Sequence, residues 1–350
     1  MRSPDCHRAV LSSGVPLVDV RAPVEFARGA FPGAVNLPLL DDEQRAAVGK
    51  CYRSEGRNAA VALGERLVSG SIREHRLAEW CDAAARRPDS LFYCWRGGLR
   101  SQTVQRWLNE SGVSVALIDG GFKALRATCL TVLEEFTDAS RLLVLGGRTG
   151  SGKTELLNSL PRSLDLEGLA NHRGSAFGAN PTPQPTPIDF ENALAVGFLK
   201  HTRATPVLVE DEGRSIGRLA VPEHLHAAMQ QAPLIIMEVE LAERGAHIWR
   251  EYIHAPLVAG RDPAELAGRY LASSDRIKRR LGGLRHAELR RLMNAAFATD
   301  NDQHAHRRWI EALLSDYYDP MYDYQLAKKQ ARIVFNGDRD AVRDYLVTRC

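Results

Sequence analysis

The chain has 350 residues, 44% of them hydrophobic and 25% charged, with a formal net charge of +3. That length suits two domains with ordinary cores, and the mild basic excess permits a nucleic-acid partner without requiring one. No apolar run approaches the roughly 20 residues that cross a bilayer, the N-terminus lacks an apolar signal core, and the six cysteines form no Cys-x-x-Cys pair. Membrane insertion, a disulfide framework and a zinc centre are therefore excluded as expectations, and a reducing cytoplasm is expected.

In chain order, Val15 to Val20 (VPLVDV) predicts a buried strand. A Pro- and Gly-punctuated loop follows, and Ala34 to Leu37 returns to an extended run. Residues Asp41 to Arg86 carry helical spacing, interrupted at Gly64, where a glycine costs roughly 1 kcal/mol relative to alanine and permits close packing. Leu91 to Cys94 reads as a strand, Ser101 to Leu108 as a helix and Val113 to Ile118 as a strand ended by Gly120-Gly121. Strands alternating with helices predict a mainly parallel sheet covered on both faces. A polar stretch at Glu134–Ser140 separates this from a second alternation, with strands expected at Leu142 to Leu145, Val207 to Val209, Leu234 to Met237 and Ile333 to Phe335. The expected fold is thus α/β: an N-terminal domain over 1–135, then a second α/β domain over 140–350 with a helical part at about 257–330. The Pro-rich stretch Asn180 to Pro187 reads as a loop.

Two constellations carry chemistry. In the first, Cys94 ends a strand before Trp95-Arg96-Gly97-Gly98-Leu99-Arg100-Ser101. A glycine loop opening a helix turns N–H groups inward, and Arg96 and Arg100 add full charges, so the thiolate is favoured and an anion can be held. A buried core cysteine is the plain alternative, but the strand-end position before Gly97 and Gly98 argues for a reactive one. In the second, Gly147-Arg148-Thr149-Gly150-Ser151-Gly152-Lys153-Thr154 fits the G-x-x-x-x-G-K-[ST] phosphate loop, after an apolar strand and before a helix. Its glycines admit phosphate oxygens to backbone N–H groups, Lys153 reaches the terminal phosphates, and Thr154 suits Mg²⁺. The acidic strand end Glu210-Asp211-Glu212 offers Asp211 as the Mg²⁺ partner and Glu212 to orient a nucleophile; solvated turn residues are the alternative. No resident metal is expected with firmness, and no cofactor is expected to be tightly bound.

A basic run holds Arg276, Lys278, Arg279 and Arg280, then Arg285-His286 and Arg290-Arg291. It suits backbone phosphates or a solvated helix face equally. Trp309, Tyr317, Tyr318, Tyr322 and Tyr324 suit either base stacking or a core.

Residues 17–127 resemble a rhodanese domain, through Asp19-Val20-Arg21, Glu25-Phe26, Pro32 to Pro38, the Cys94 loop and Gly120-Gly121. The loop between Cys94 and Arg100 is one residue longer than in many bacterial rhodaneses and resembles the loop of cysteine-dependent phosphatases, although Tyr93 stands where those place His. It suggests a tetrahedral electrophile larger than a bare sulfur. With the phosphate loop, Asn171-His172-Arg173-Gly174-Ser175-Ala176-Phe177-Gly178, Glu210 to Gly217 and Tyr318-Asp319-Pro320-Met321-Tyr322, nearly the whole chain resembles the tRNA 2-selenouridine synthase family. Gly213 departs from the Ser expected there.

The resemblance implies a transferase acting on the thiolated wobble uridine in the anticodon of tRNA. Its co-substrates are geranyl diphosphate and selenophosphate, and S-geranyl-2-thiouridine lies between 2-thiouridine and 2-selenouridine. It implies that the phosphate loop grips a diphosphate. It also implies that Cys94 receives selenophosphate, carrying selenium as a perselenide or attacking directly, and that His172, Arg173 and Ser175 touch phosphate or RNA. Two rival readings remain at this point. One is a P-loop kinase or NTPase with an attached sulfurtransferase or phosphatase-like domain; the other is a non-catalytic sensor of RNA or anions.

Overall fold

The structure, a computed structural model, describes residues 4–135, 138–201, 205–299 and 302–349. Residues 136 and 137 of the expected linker, 300 and 301 of the helical part, and Cys350 lie outside the described residues. The chain forms two compact units, Met1–Glu135 with Pro185–Lys200, and Phe136–Gln184 with His201–Cys350.

The first unit is built on strands β1 (Leu17–Asp19), β2 (Val35–Asn36), β3 (Leu91–Tyr93) and β4 (Ala116–Leu117), in the order β2-β1-β3-β4. All are parallel, with Val18 opposite Val35 and Phe92. A parallel strand covered on both faces needs apolar residues in succession, which Leu17-Val18 and LFY supply, while buried Asp19 is paired with Arg21; Val18, Phe92, Trp80 and Leu108 are buried between sheet and helices. The expected helical stretch is two helices, Asp42–Leu67 and Gly70–Arg86. Asp41 opens the first with a reciprocal cap: its carboxylate accepts the Gln44 N–H (2.8 Å), and the Gln44 side chain accepts the Asp41 N–H (3.2 Å). The break in this helix falls at Gly56, not Gly64. A Cβ at Gly64 would meet Val48 at an ordinary 3.8 Å, so no close packing requires glycine there.

Helix Pro187–Leu199 joins this first unit. Thr186 caps it, Pro187 starts it, and its polar side chains reach into the unit. Asp189 accepts the Ala30 N–H (2.7 Å), buried Asn192 donates to the Ala30 carbonyl (2.7 Å), and Arg126 pairs with Glu191.

The second unit holds β5 (Leu142–Gly146), β6 (Ser163–Leu164), β7 (Val207–Glu210), a two-residue-turn hairpin of β8 (Ser215–Ile216) and β9 (Leu219–Ala220), β10 (Leu234–Met237) and β11 (Ile333–Gly337). Its five-stranded sheet runs β11-β10-β5-β7-β6, all parallel. Leu142, Val144 and Leu145 on central β5 are fully buried, each contributing roughly 1.5–3 kcal/mol by burial. The predicted helical part includes helices Pro263–Leu281, Gly283–Phe297 and Gln303–Leu313, packed around Tyr270, Ile277, Met293, Trp309 and Ile310, and then helix Asp319–Ala327. Of the aromatic residues left open between core and stacking, Trp309, Tyr317 and Tyr318 are buried, whereas Tyr324 is 66% exposed.

Candidate functional site

Cys94 follows β3, where the chain turns at once. Its carbonyl accepts the Phe122 N–H (2.8 Å), and the Trp95 carbonyl accepts that of Lys123 (3.0 Å), so the start of helix Gly121–Glu134 clamps the loop. Only glycine fits at Gly121: φ is +56°, and a Cβ would lie 2.2 Å from the Cys94 carbonyl oxygen. Gly97 packs against the Ile118 and Gly120 backbone, a role in holding the loop, while Gly98 lines the cavity. Cys94 is 3% exposed, with the Ser101 hydroxyl 3.3 Å and the Gly98 carbonyl 3.8 Å from Sγ. It nonetheless lines a cavity of about 640 Å³, with Trp95, Arg96, Leu99 and Arg100 beside it.

Arg96 is exposed at this cavity. Arg100, expected to face an anion, is held by Glu25: Nη2 donates to Oε1 at 3.2 Å and Nη1 to Oε2. Arg45 approaches the same carboxylate at 3.6 Å. Burial pushes Glu25 upward, but the Arg100 hydrogen bond and charge, the Ala22 N–H and Arg45 outweigh it and hold the carboxyl below its ordinary value. Glu25 thus fixes the direction of Arg100 and removes part of its charge from the loop.

The phosphate loop leaves the end of β5 and enters helix Lys153–Asn158. Gly147 has φ +156°, and a Cβ there would lie 2.8 Å from the Met237 carbonyl oxygen at the end of β10. Gly147, Gly150, Gly152, Lys153 and Thr154 share the wall of a cavity of about 730 Å³ with Asp211 and Glu212. Ser151 is buried behind the loop, its hydroxyl without a hydrogen-bond partner. Lys153 Nζ donates to the Gly147 carbonyl (2.8 Å). Two arginines brace the loop: Arg339 donates to the Ser151 carbonyl (3.0 Å) and Glu155 (2.8 Å), and Arg244 donates to the Thr149 carbonyl (3.2 Å). Arg244 also forms a two-pronged pair with Asp319 at 2.9 and 2.7 Å, which gives the Asp319-Pro320 segment its role.

The acids are arranged differently from the expectation for Asp211. The Thr154 hydroxyl donates to Glu210 at 3.1 Å, and Asp211 is engaged by Lys329, with both oxygens 2.7 Å from Nζ. Asp211, the first residue after the strand, still lines the cavity. Glu210, Glu167 and Glu212 are all raised above the ordinary carboxyl value. Burial is the chief cause for each, followed for Glu210 and Glu212 by the charge of Glu167, and Glu210 is pushed up to about 8. Crowded, under-ionised carboxyls beside a hydroxyl and Lys153 fit a divalent cation. A second group, Glu155, His247 and Glu251, has ligand atoms within 4.8 Å of one another. Its carboxylates are occupied by Arg339 (2.8 Å) and Arg173 (3.2 Å), which makes it an ion-pair network.

Of the proposed phosphate or RNA contacts, Arg173, Ser175 and Arg280 line this cavity. Arg173 also lies 4.4 Å over the Tyr252 ring. His172 is not on the wall; its ring lies against Gly217, and burial, then the Arg276 charge, depress its pKa. Arg276 donates to the Ala176 carbonyl (3.0 Å) and Ser273 (2.6 Å), while Lys278 and Arg279 are exposed away from the cavity. The rest of the basic run is partly neutralised, Arg290 by Asp275 and Arg291 by Glu288. Gly213 borders the cavity with open space around it, so a serine side chain would fit.

Residues 140–350 match the family model described as tRNA 2-selenouridine synthase AAA domain, and residues 3–128 match the rhodanese-like domain. The chain belongs to the tRNA 2-selenouridine synthase family. A tRNA 2-selenouridine synthase of Hahella chejuensis is 49% identical, covering 95% of this chain and 91% of its own. Those of Marinobacter nauticus and Pseudomonas fluorescens are each 47% identical, covering 99% of this chain and 97% and 98% of theirs. Against this family frame, the sequence reading missed Glu210, Glu167, Lys329, Arg339 and Arg244. Lys329 meets Asp211 and the other four meet the loop, each from outside its contiguous sequence, and only the adjacency of Glu210 to Asp211 offered a signal.

Proposed function

We propose that this chain converts wobble 2-thiouridine of tRNA to 2-selenouridine through S-geranyl-2-thiouridine, using geranyl diphosphate and selenophosphate. The observation that carries the reading is the presence in one chain of two cavities suited to phosphorus chemistry, one with a cysteine and one with a phosphate loop. The family membership supports the tRNA substrate.

In the phosphate-loop cavity, Lys153 and the loop N–H groups hold the diphosphate, and the thiouridine sulfur attacks the first carbon of the geranyl chain. The C–O bond to diphosphate breaks, and Lys153 stabilises the departing charge. Thr154 and Glu210, with Glu167 near, would hold a Mg²⁺ that further neutralises it. Loss of the ring N3 proton leaves a neutral S-geranyl nucleoside, in which sulfur departs as a thiol rather than a thione.

At the other cavity, Cys94 attacks phosphorus of selenophosphate. An S–P bond forms, the P–Se bond breaks, and selenide adds to C2 of the ring as geranylthiol leaves. Water then releases phosphate from Cys94. Attack at phosphorus needs no oxidant, whereas a perselenide formed from selenophosphate would, so direct attack is the course taken of the two considered. The one-residue-longer loop suits a tetrahedral centre.

The test is nucleoside mass analysis of thiolated tRNA incubated with the protein, geranyl diphosphate and selenophosphate. Both modified nucleosides are expected, and the absence of both would sink the reading in favour of a P-loop NTPase with a phosphatase-like domain.

A further inference from the structure

The basic run at the junction of helices Pro263–Leu281 and Gly283–Phe297 is neutralised unevenly. From Arg276 to Ala287 the sequence holds five arginines and lysines and no carboxylate. Arg276 is engaged by the Ala176 carbonyl and Ser273, and beyond the junction Arg290 and Arg291 meet Asp275 and Glu288. Lys278, Arg279 and Arg285 are exposed and, among the described residues, meet no carboxylate. Helix polarity accounts for only part of this. Lys278 and Arg279 lie in the last turn of their helix, where the dipole favours cations, but Arg285 lies in the first turn of the next, where it disfavours them. Leu284 beside it is 91% exposed and takes no part in the core. A cation at the unfavourable end of a helix and a leucine in water both suit a partner that is anionic and presents flat faces. The junction also adjoins the phosphate-loop cavity. Arg280, next to Arg279, lines that cavity and lies 3.3 Å from the Met321 sulfur. Arg285 follows it across one helix-to-helix turn, a distance on the order of 10 Å, which the next nucleotides of a strand can span.

We infer that this helix junction is a docking surface for the tRNA backbone beside the base presented to the phosphate loop. Lys278, Arg279 and Arg285 meet phosphates, and Leu284 packs on a ribose or base face. The inference rests on the reading that a tRNA base enters the phosphate-loop cavity, and it adds where the neighbouring strand is held. Phosphate contacts position a strand without reading its sequence. The junction therefore sets register and affinity, and the choice among tRNAs falls to other contacts.

The experiment measures binding of thiolated tRNA to the full-length protein by fluorescence anisotropy over a series of salt concentrations, with neither co-substrate present. A triple variant, Lys278→Gln with Arg279→Gln and Arg285→Gln, is expected to bind at least ~tenfold more weakly at physiological salt. Its plot of log affinity against log salt should be shallower by ~2, at roughly 0.7 per lost phosphate contact. Arg285→Glu alone puts an acid in the first turn of its helix, so it should raise the thermal midpoint while weakening tRNA binding. A stability change and a binding change of opposite sign cannot come from misfolding. Arg291→Gln removes a cation already paired with Glu288 and should leave affinity and slope as they are. Wild-type affinity and slope in the triple variant or in Arg285→Glu, or an equal loss per charge in Arg291→Gln, overturns the inference. Because no chemistry takes place in this assay, that outcome is separate from failure of the proposed function, which would show as no modified nucleoside from the wild type.

Discussion

Thr154 donates its hydroxyl to Glu210 across 3.1 Å, joining the last residue of the phosphate loop to the end of the neighbouring strand. Glu210 is a buried acid pushed from 4.5 up to about 8 by burial, then by the charge of Glu167. Between those two values the folded chain holds a proton that the unfolded chain has released. Its contribution to stability is therefore present below about 4.5 and lost as pH rises through about 8. Glu210→Gln is expected to flatten the fall in the thermal midpoint over this window and to raise the midpoint at pH 8 by a few degrees. It should also weaken Mg²⁺ binding, which in the wild type should strengthen with pH over the same interval. Midpoints from pH 5 to 9 with and without Mg²⁺ check both; identical slopes for variant and wild type would remove Glu210 as the titrating group.

The two proposed chemistries should separate by mutation. Lys153→Ala should lower geranylation by on the order of 10²–10³-fold, since it removes the charge facing the leaving diphosphate. Cys94→Ala should abolish selenation, by at least ~10³-fold, while S-geranyl nucleoside still forms. Mass analysis of the two nucleosides in each variant reads this directly. Geranylation at the wild-type rate in Lys153→Ala, or full selenation in Cys94→Ala, would remove that residue from its role.

Glu25 is held below its ordinary value despite burial, so its pairing with Arg100 stabilises the fold above the ordinary carboxyl range and is lost as pH falls through the lowered folded value. Glu25→Gln should therefore be less stable than the wild type at pH 7, by roughly 1–3 kcal/mol, with the difference shrinking in acid. Urea unfolding at pH 7 and pH 3 measures it; a gap that widens in acid contradicts the sign.

Gly121→Ala forces a side chain into the Cys94 carbonyl and a left-handed backbone. A cost of about 1–3 kcal/mol and a displaced Cys94 loop are expected, with selenation falling much further than geranylation. Equal losses in the two activities would point to general unfolding instead.

What was legible in the sequence is what the chain keeps local. The phosphate loop is eight consecutive residues between a strand and a helix, and the Cys94 loop is likewise contiguous, so type and spacing sufficed. Parallel strands showed as short apolar runs because both faces are covered. Partnerships across the chain left no such trace. Arg100 meets Glu25 and Arg339 meets Ser151 only once the sheets form, and nothing in the composition marks which arginine will be neutralised. That the Thr154 hydroxyl meets Glu210 while Asp211 meets Lys329 was not legible for a related reason: where the strand ends decides which acid faces which partner.

Helix Pro187–Leu199 completes the first unit although some fifty residues of the second precede it. A ribosome therefore cannot finish the first unit until about residue 200 has emerged, by which time the phosphate loop is already outside. Until then Ala30 lacks its partners Asp189 and Asn192, and the apolar face that receives the helix stays wet. A chain cut after Glu135 would keep that unfinished surface permanently, and is expected to aggregate where the full chain does not. The two proposed sites are thus made in an interlocked order during synthesis.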